Sequence, residues 1–213
     1  MNYPLCVEGA VELETVGFAK DMFAFILNKK EKIDAVLTGF IPSVELVSET
    51  KTFCIEQKSN GSLIFVDPVF GDNGKAYKSV KPENIEALRD LLFVADYCFP
   101  NYTEACLLTG VVYDDSGMTA QDAKDLLLKL KAFGAKNPII TGCIVNNKDV
   151  IVFLDENDEL CVVEYERFNG HLVGTGDRFA AGVTGRLCDG VNLEKSIRET
   201  AVEISEKARG IER

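Results

Sequence analysis

No stretch of this chain approaches the roughly 18 consecutive apolar residues that a membrane-spanning helix needs, so no membrane partner is expected. The opening segment MNYPLCVEGA lacks a basic stretch ahead of an apolar core and does not read as a signal peptide. The cysteines (Cys6, Cys54, Cys98, Cys106, Cys143, Cys161 and Cys188) include no CxxC pair and are odd in number. Most lie within apolar runs, so they are expected to be reduced, buried small hydrophobes of a cytoplasmic protein. Positive charge is scarce too. With 23 Lys and Arg against 34 Asp and Glu, the formal net charge is -11 and no basic stripe forms, which argues against a nucleic-acid surface. Internal repeats, low-complexity segments and linkers are absent, so residues 1–213 are read as one domain. A hydrophobic content of 46% is enough for its core.

What is present alternates between helix and strand patterns. Residues 18–31 place Phe18, Met22, Phe25 and Ile26 on one helical face. Ile33 to Leu37 reads as a strand broken by Gly39 to Pro42, and 43–57 as a helix burying Val44, Val47, Cys54 and Ile55. Leu63 to Val66 reads as a strand buried on both faces, ending at Asp67-Pro68 before a glycine-bearing loop, GDNGKAY. Pro82 suits the first turn of a helix carrying Ile85, Leu88 and Leu92. A strand over Ala95 to Phe99 ends at Pro100. Helices over 101–109 and 119–133 stop at Gly110 and Gly134. Pro138 to Thr141 reads as a further strand. Val150 to Leu154 and Cys161 to Tyr165 flank the turn DENDE and suggest a hairpin at the sheet edge. Helices from about Gly176 and about Asn192 close the chain. The economical architecture is α/β, a mostly parallel sheet with helices on both faces and an antiparallel edge hairpin.

In such sheets ligands collect at the C-terminal ends of the strands. Three polar clusters fall there. In Gly174-Thr175-Gly176-Asp177 the glycines let the chain turn sharply, so that N–H groups at a helix mouth could hold an anion. Ala180, Ala181, Gly182 and Gly185 are expected to let that helix approach the sheet. A plain capped turn explains GxGD equally well. In the second cluster, Asp67 with Asp72 and its glycines could hold Mg2+ through water, or form only an acidic loop. In the third, Asn101 with Glu104 matches a capping box, and on spacing alone the cap is the favoured reading over a metal or phosphate role. The one histidine, His171, reads as a solvated loop residue.

Taken together and in order, DPVFGDNGKAY, PNYTEACLLTG, the strand ending IITG, and VGTGDRFAAG resemble the signature blocks of pyridoxal and pyridoxamine kinases of the ribokinase-like superfamily. KIDAVLTGFIPS is similar to their strand and loop before the second helix. The resemblance implies a ribokinase-like fold and ATP-dependent phosphorylation of the 5'-hydroxymethyl group of a B6 vitamer. A hydroxymethylpyrimidine-type kinase, or a nucleotide-binding remnant without turnover, is the alternative. It further implies Asp177 as the base, with Gly174, Thr175 and Gly176 as the anion hole. Asp67 and Glu104 would line the Mg-ATP site, with Asn101 and Thr141 near the phosphates and Tyr77 over the nucleotide. Asp72 would help hold a monovalent cation, Val173 would approach the pyridine ring, and the protein would be a homodimer.

The chain departs from that pattern in places. Met1 aligns inside the family's substrate lid, so an opening strand, helix and strand of roughly forty-odd residues, comparable to a βαβ unit, is expected to be missing. That loss predicts poor B6 phosphorylation. Pro42 stands where the family usually has Gly, and Phe99 replaces a small polar residue.

Overall fold

The structure is a computed structural model in which residues 15–29, 31–166 and 174–211 are described, with side chains to 207. Helix α1 (Val16–Lys29) leads into strand β1 (Ala35–Thr38), α2 (Val44–Ser59) and β2 (Leu63–Val66). A small hairpin, β3 (Gly71–Asp72) and β4 (Lys75–Ala76), precedes α3 (Pro82–Leu92) and β5 (Tyr97–Cys98). Helices α4 (Tyr102–Thr109) and α5 (Ala120–Ala132) come next, then β6 (Asn137–Val145), β7 (Lys148–Leu154) and β8 (Leu160–Glu164). Helices α6 (Thr175–Cys188) and α7 (Leu193–Ile211) end the chain.

The main sheet runs β1-β2-β5-β6-β7-β8. Its first four strands are parallel, and β7 and β8 fold back antiparallel at the far edge. Helical crossovers carry the chain between the parallel strands, as that geometry requires. Register aligns Thr38 with Val66 and Val66 with Cys98, so these strands end together on one side. Side-chain alternation divides the core. Ile64, Val66 and Ile140 pack beneath the layer of α2 to α5, whereas Phe65, Ile139 and Phe153 pack against α6 and α7. The β2 strand is buried as its sequence suggests, except for Leu63 at its start.

Sequence boundaries hold best where caps are explicit. Ser43 caps α2, its Oγ accepting from the Leu46 N–H. Gly110 takes the left-handed conformation that ends α4, with φ of 71°. Four expectations are corrected. The segment GDNGKAY is not a plain loop but the β3–β4 hairpin, turned by Asn73 and Gly74, both at positive φ. The row Phe18, Met22 and Phe25 of α1 faces outward, and α1 meets α2 instead through a stacked Phe23–Phe53 pair at 4.4 Å. On α2, Val44 and Ile55 are exposed, and Phe53, Thr50 and Gln57 join Val47 and Cys54 on the buried side. On α6, only Ala180 of the small residues enters the core beneath the sheet. Ala181 and Gly185 are exposed, and Gly182 makes room for α7, since a Cβ there would lie 2.7 Å from Thr200 Cγ2.

Among the described residues no helix is long and apolar enough to cross a membrane. The six cysteines they include are free thiols. Cys54, Cys98, Cys106 and Cys143 are buried, Cys161 is half-buried and Cys188 is exposed.

Candidate active site

Asp67 follows β2 directly, and its N–H donates to Thr38 O at 3.2 Å, which ties the end of β2 to the end of β1. Proline at 68 cannot donate, and the chain then turns through Val69 at φ 35°, a conformation that a β-branched residue rarely adopts. Such a residue stores roughly 1–3 kcal/mol of strain. A backbone interaction from Val69 favours the ionised form of the Asp67 carboxyl and partly offsets the effect of burial.

The first turn of α4 supplies the next layer. Asn101 and Glu104 form the capping box: Asn101 Oδ1 accepts from the Glu104 N–H, and Glu104 Oε2 from the Asn101 N–H, both at 2.9 Å. Glu104 does more than cap. Its Oε1 accepts from the N–H groups of Phe70 (2.7 Å) and Gly71 (3.2 Å), and Asn101 Nδ2 donates to Gly71 O at 2.8 Å. Thr103 Oγ1 accepts from the Gly74 N–H at 2.9 Å. The β3–β4 hairpin is therefore bolted to α4. It carries Asp72, whose carboxylate accepts from the Asn73 backbone and side-chain N–H groups, and it leads to Tyr77, whose N–H donates to Phe70 O.

Opposite lies the N-terminus of α6. Gly174 is its N-cap at φ 79°, and the first helical bond runs from the Arg178 N–H to Gly174 O at 3.1 Å. The N–H groups ahead of that bond leave the helix end without helical acceptors. Asp177 stands in this first turn, exposed, near the backbone of Gly174. On the fourth side, Thr141 pairs with Asn101 as an isolated parallel bridge and donates its N–H to Pro100 O at 3.0 Å. It sits in an irregularity of β6 between Ile140 and Cys143, eased by Gly142 at φ 66°.

Electrostatics link these pieces. The Asp67 carboxyl is held well above the ordinary carboxylate range, first by burial, then by the charges of Glu104 and Asp177. Glu104, 2% exposed, is pushed up to about 7 by burial despite its three N–H donors, and the Asp72 charge pushes the same way. Acidic groups from β2, the hairpin, α4 and α6 thus share one field at the C-terminal ends of the parallel strands. Among the described residues, no three His, Cys, Asp or Glu side chains gather into a direct metal cage. The donors are nonetheless hard carboxylate oxygens crowded by like charge. Mg2+ uses one or two carboxylates and completes its shell with waters and phosphate, so this donor set fits it.

The fold brings Asp67, Asp72, Tyr77, Asn101, Glu104 and Thr141 into one connected region, and Asp177, in the first turn of α6 with Thr175 and Gly176, lies near enough for its charge to act on Asp67. Val173 and His171 lie outside the described residues. Sequence reasoning missed the Val69 turn, for which no residue type gives a signal. It also missed the hairpin, for which the Asn-Gly pair was the available signal. Phe99 has a packing reason. It lies 6.2 Å from Phe65 in a stack and edge-on to Phe179 at 6.1 Å, which seats the start of α6 against the sheet.

Comparison with known proteins adds the family. Pyridoxal kinase of Dictyostelium discoideum is 32% identical over 164 residues, covering 70% of this chain and 52% of that protein. Hydroxymethylpyrimidine/phosphomethylpyrimidine kinase of Haemophilus influenzae is 30% identical over 174 residues, 75% of this chain and 59% of that protein. The chain thus spans little more than half the length of these curated relatives. The crystal structure of pyridoxal kinase from Lactobacillus plantarum superposes with a TM-score of 0.85 at 28% identity, covering 94% of this chain and 72% of that one. Matching the phosphomethylpyrimidine kinase family model over residues 12–209, the chain belongs to that family.

Proposed function

We propose that this chain transfers the γ-phosphoryl group of ATP to the 5'-hydroxymethyl group of pyridoxal, pyridoxamine or pyridoxine. The observation that carries the reading is the field Asp67 shares with Glu104 of α4 and with Asp177 in the first turn of α6. An acidic cluster that includes a helix N-terminus suits a metal-bound polyphosphate better than any uncharged ligand.

In this reading Asp177 accepts the proton of the hydroxymethyl O–H as its oxygen bonds to the γ-phosphorus. The bond from that phosphorus to the bridging oxygen breaks, and ADP leaves. The transition state is loose, so a well-placed weak base suffices. N–H groups of Gly174, Thr175 and Gly176 at the start of α6 face the charge on the transferring group. Asp67, with Glu104 beside it, would hold Mg2+ through water, which would supply charge neutralisation at the phosphates. Asn101 and Thr141 lie toward the phosphates and Tyr77 over the nucleotide. By the resemblance, Asp72 would contribute to a monovalent-cation site and Val173 to recognition of the pyridine. The resemblance also supports a cytoplasmic homodimer, which sedimentation tests.

The pyrimidine alternative is favoured by the family's description and by the Haemophilus influenzae relative. One experiment separates the readings: phosphorylation of pyridoxal, pyridoxamine and hydroxymethylpyrimidine at saturating Mg-ATP, with nucleotide affinity measured by calorimetry. Transfer to the B6 vitamers supports the proposal, and transfer confined to the pyrimidine replaces it. ATP binding without transfer to any of them leaves a nucleotide-binding protein without turnover.

A further inference from the structure

We infer that Thr103 is a positioning residue for nucleotide binding, acting through the tip of the β3–β4 hairpin; this rests on the kinase reading above. The hairpin is two residues per strand, too short to hold its own place in water. Its base is fixed by Glu104 and Asn101, which bond Phe70 and Gly71. Its tip has a separate anchor. Asn73 and Gly74 both adopt positive φ, 51° and 74°, as a two-residue turn of the mirror-image type requires. That turn aims the Gly74 N–H outward, and it donates to Thr103 Oγ1 at 2.9 Å. Thr103 is 3% exposed, so its hydroxyl is held in place by its surroundings.

Packing presses the same point. A Cβ at Gly74 would lie 2.7 Å from the Tyr113 ring, which itself packs on Tyr102 at 4.8 Å between ring centroids. The tip therefore sits between an aromatic pair and one hydroxyl. What it positions is Asp72, next to the turn, on the side of the hairpin that meets Glu104. Without the Thr103 acceptor the base of the hairpin stays fixed while the tip swings about it. Asp72, next to the turn, then loses its alignment beside Glu104, while Tyr77, tied to Phe70 at the base, and Asp177 on α6 are untouched. The expected signature is weaker ATP binding with the chemical step preserved.

Thr103→Val removes the acceptor at nearly constant shape, and Thr103→Ser keeps it while removing a methyl. Mg-ATP affinity is read by calorimetry, which needs no turnover, and the Gly74 amide by hydrogen exchange. The valine variant is expected to bind ATP about fivefold more weakly or worse, the effect of one hydrogen bond of ordinary net strength. Its Gly74 amide should exchange faster, and where turnover is measured KM for ATP should rise with kcat little changed. The serine variant should match the parent in all three. Equal ATP affinity in valine variant and parent overturns the proposal while leaving the kinase reading intact, as does equal weakening by serine and valine. A parent that binds no nucleotide sinks the kinase reading and this inference with it. A parent that binds ATP but phosphorylates none of the three acceptors overturns only the assigned reaction, since the affinity comparison still decides the role of Thr103.

Discussion

Replacing Asp177 by Asn is expected to separate chemistry from folding. The side chain is exposed, and the helix behind it is capped at Gly174 rather than by this carboxylate. Its charge in the first turn of α6 favours the helix by about 0.3–1 kcal/mol. Against that, the same charge helps hold the Asp67 carboxyl above its ordinary range, a repulsion that Asn removes. The two effects oppose, so the net change in stability should stay below about 1 kcal/mol, a melting shift of no more than about 4 °C for a chain of this size. Turnover has no such compensation. Loss of a positioned base costs about 10²–10⁴-fold, or roughly 2.7–5.4 kcal/mol of barrier. Nucleotide affinity should hold or tighten, because a negative charge beside the phosphates has gone. The assay is pyridoxal phosphorylation at saturating Mg-ATP, beside a thermal melt and calorimetric ATP binding. Turnover within about fivefold of the parent would remove Asp177 from the base role, since that loss lies well below the range of a general base. A fall in ATP affinity and melting temperature together would show a structural residue instead.

Glu104→Ala leaves the N–H groups of Phe70, Gly71 and Asn101 without their acceptor. Its cost in urea unfolding should reach about 3 kcal/mol, above the roughly 0.5–2 kcal/mol of a simple cap. If Mg2+ titrations of parent and variant superimpose, Glu104 has no part in the metal site. Gly182→Ala drives a methyl into Thr200 and should cost about 1–3 kcal/mol in a melt, with ATP affinity unchanged. Asp96→Asn keeps an acceptor for the Ile64 N–H but breaks the ion pairs to Lys58 and Lys136. Burial opposes ionisation of Asp96, yet the bonds from Lys58, Ile64 and Lys136 outweigh it and lower its pKa from 3.8. The stability this adds is present above 3.8 and is lost as pH falls through the lowered value, a slope that melts of the Asn variant in acid should lack.

Much of the fold was legible because local chemistry and burial agreed. Leu63 to Val66 carries four apolar residues between turn signals, and it is β2 residue for residue. Asn101 with Glu104, Pro82 and Gly110 each mark a helix end by a mechanism that acts within a few residues. What failed depends on contacts far along the chain. Nothing in the heptad-like row of Phe18, Met22 and Phe25 says which side α2 will occupy, and the Phe23–Phe53 stack decides it. Glycine spacing on α6 likewise does not say whether a small residue faces sheet or helix, and Thr200 settles Gly182. At the site, residue types pointed to a capping box but not to its reach. That Glu104 also holds Phe70 and Gly71, thirty-odd positions earlier, follows only once β2 and β5 lie side by side.

The local rules broken in this chain cluster where the carboxylates meet. Val69 takes a positive φ, Glu104 is buried with its carboxyl pushed up to about 7, and Asp67 is held above its range by burial and by two like charges. Each raises the energy of the fold, and each sits on a segment that other bonds over-determine. The Val69 turn is fixed on one side by the bond from Asp67 N–H to Thr38 O and on the other by Glu104 through Phe70. The same bonds explain why these costs do not relax away. Moving Asp67 out to water would break the end of β2 from β1, and moving Glu104 out would undo the start of α4 and free the hairpin. Carboxylates crowded by like charge call for a cation, and the first turn of α6, with N–H groups that lack helical acceptors, calls for an anion. In the proposed reading a metal-bound phosphate meets both demands at once, which would place the strain and the function on the same residues.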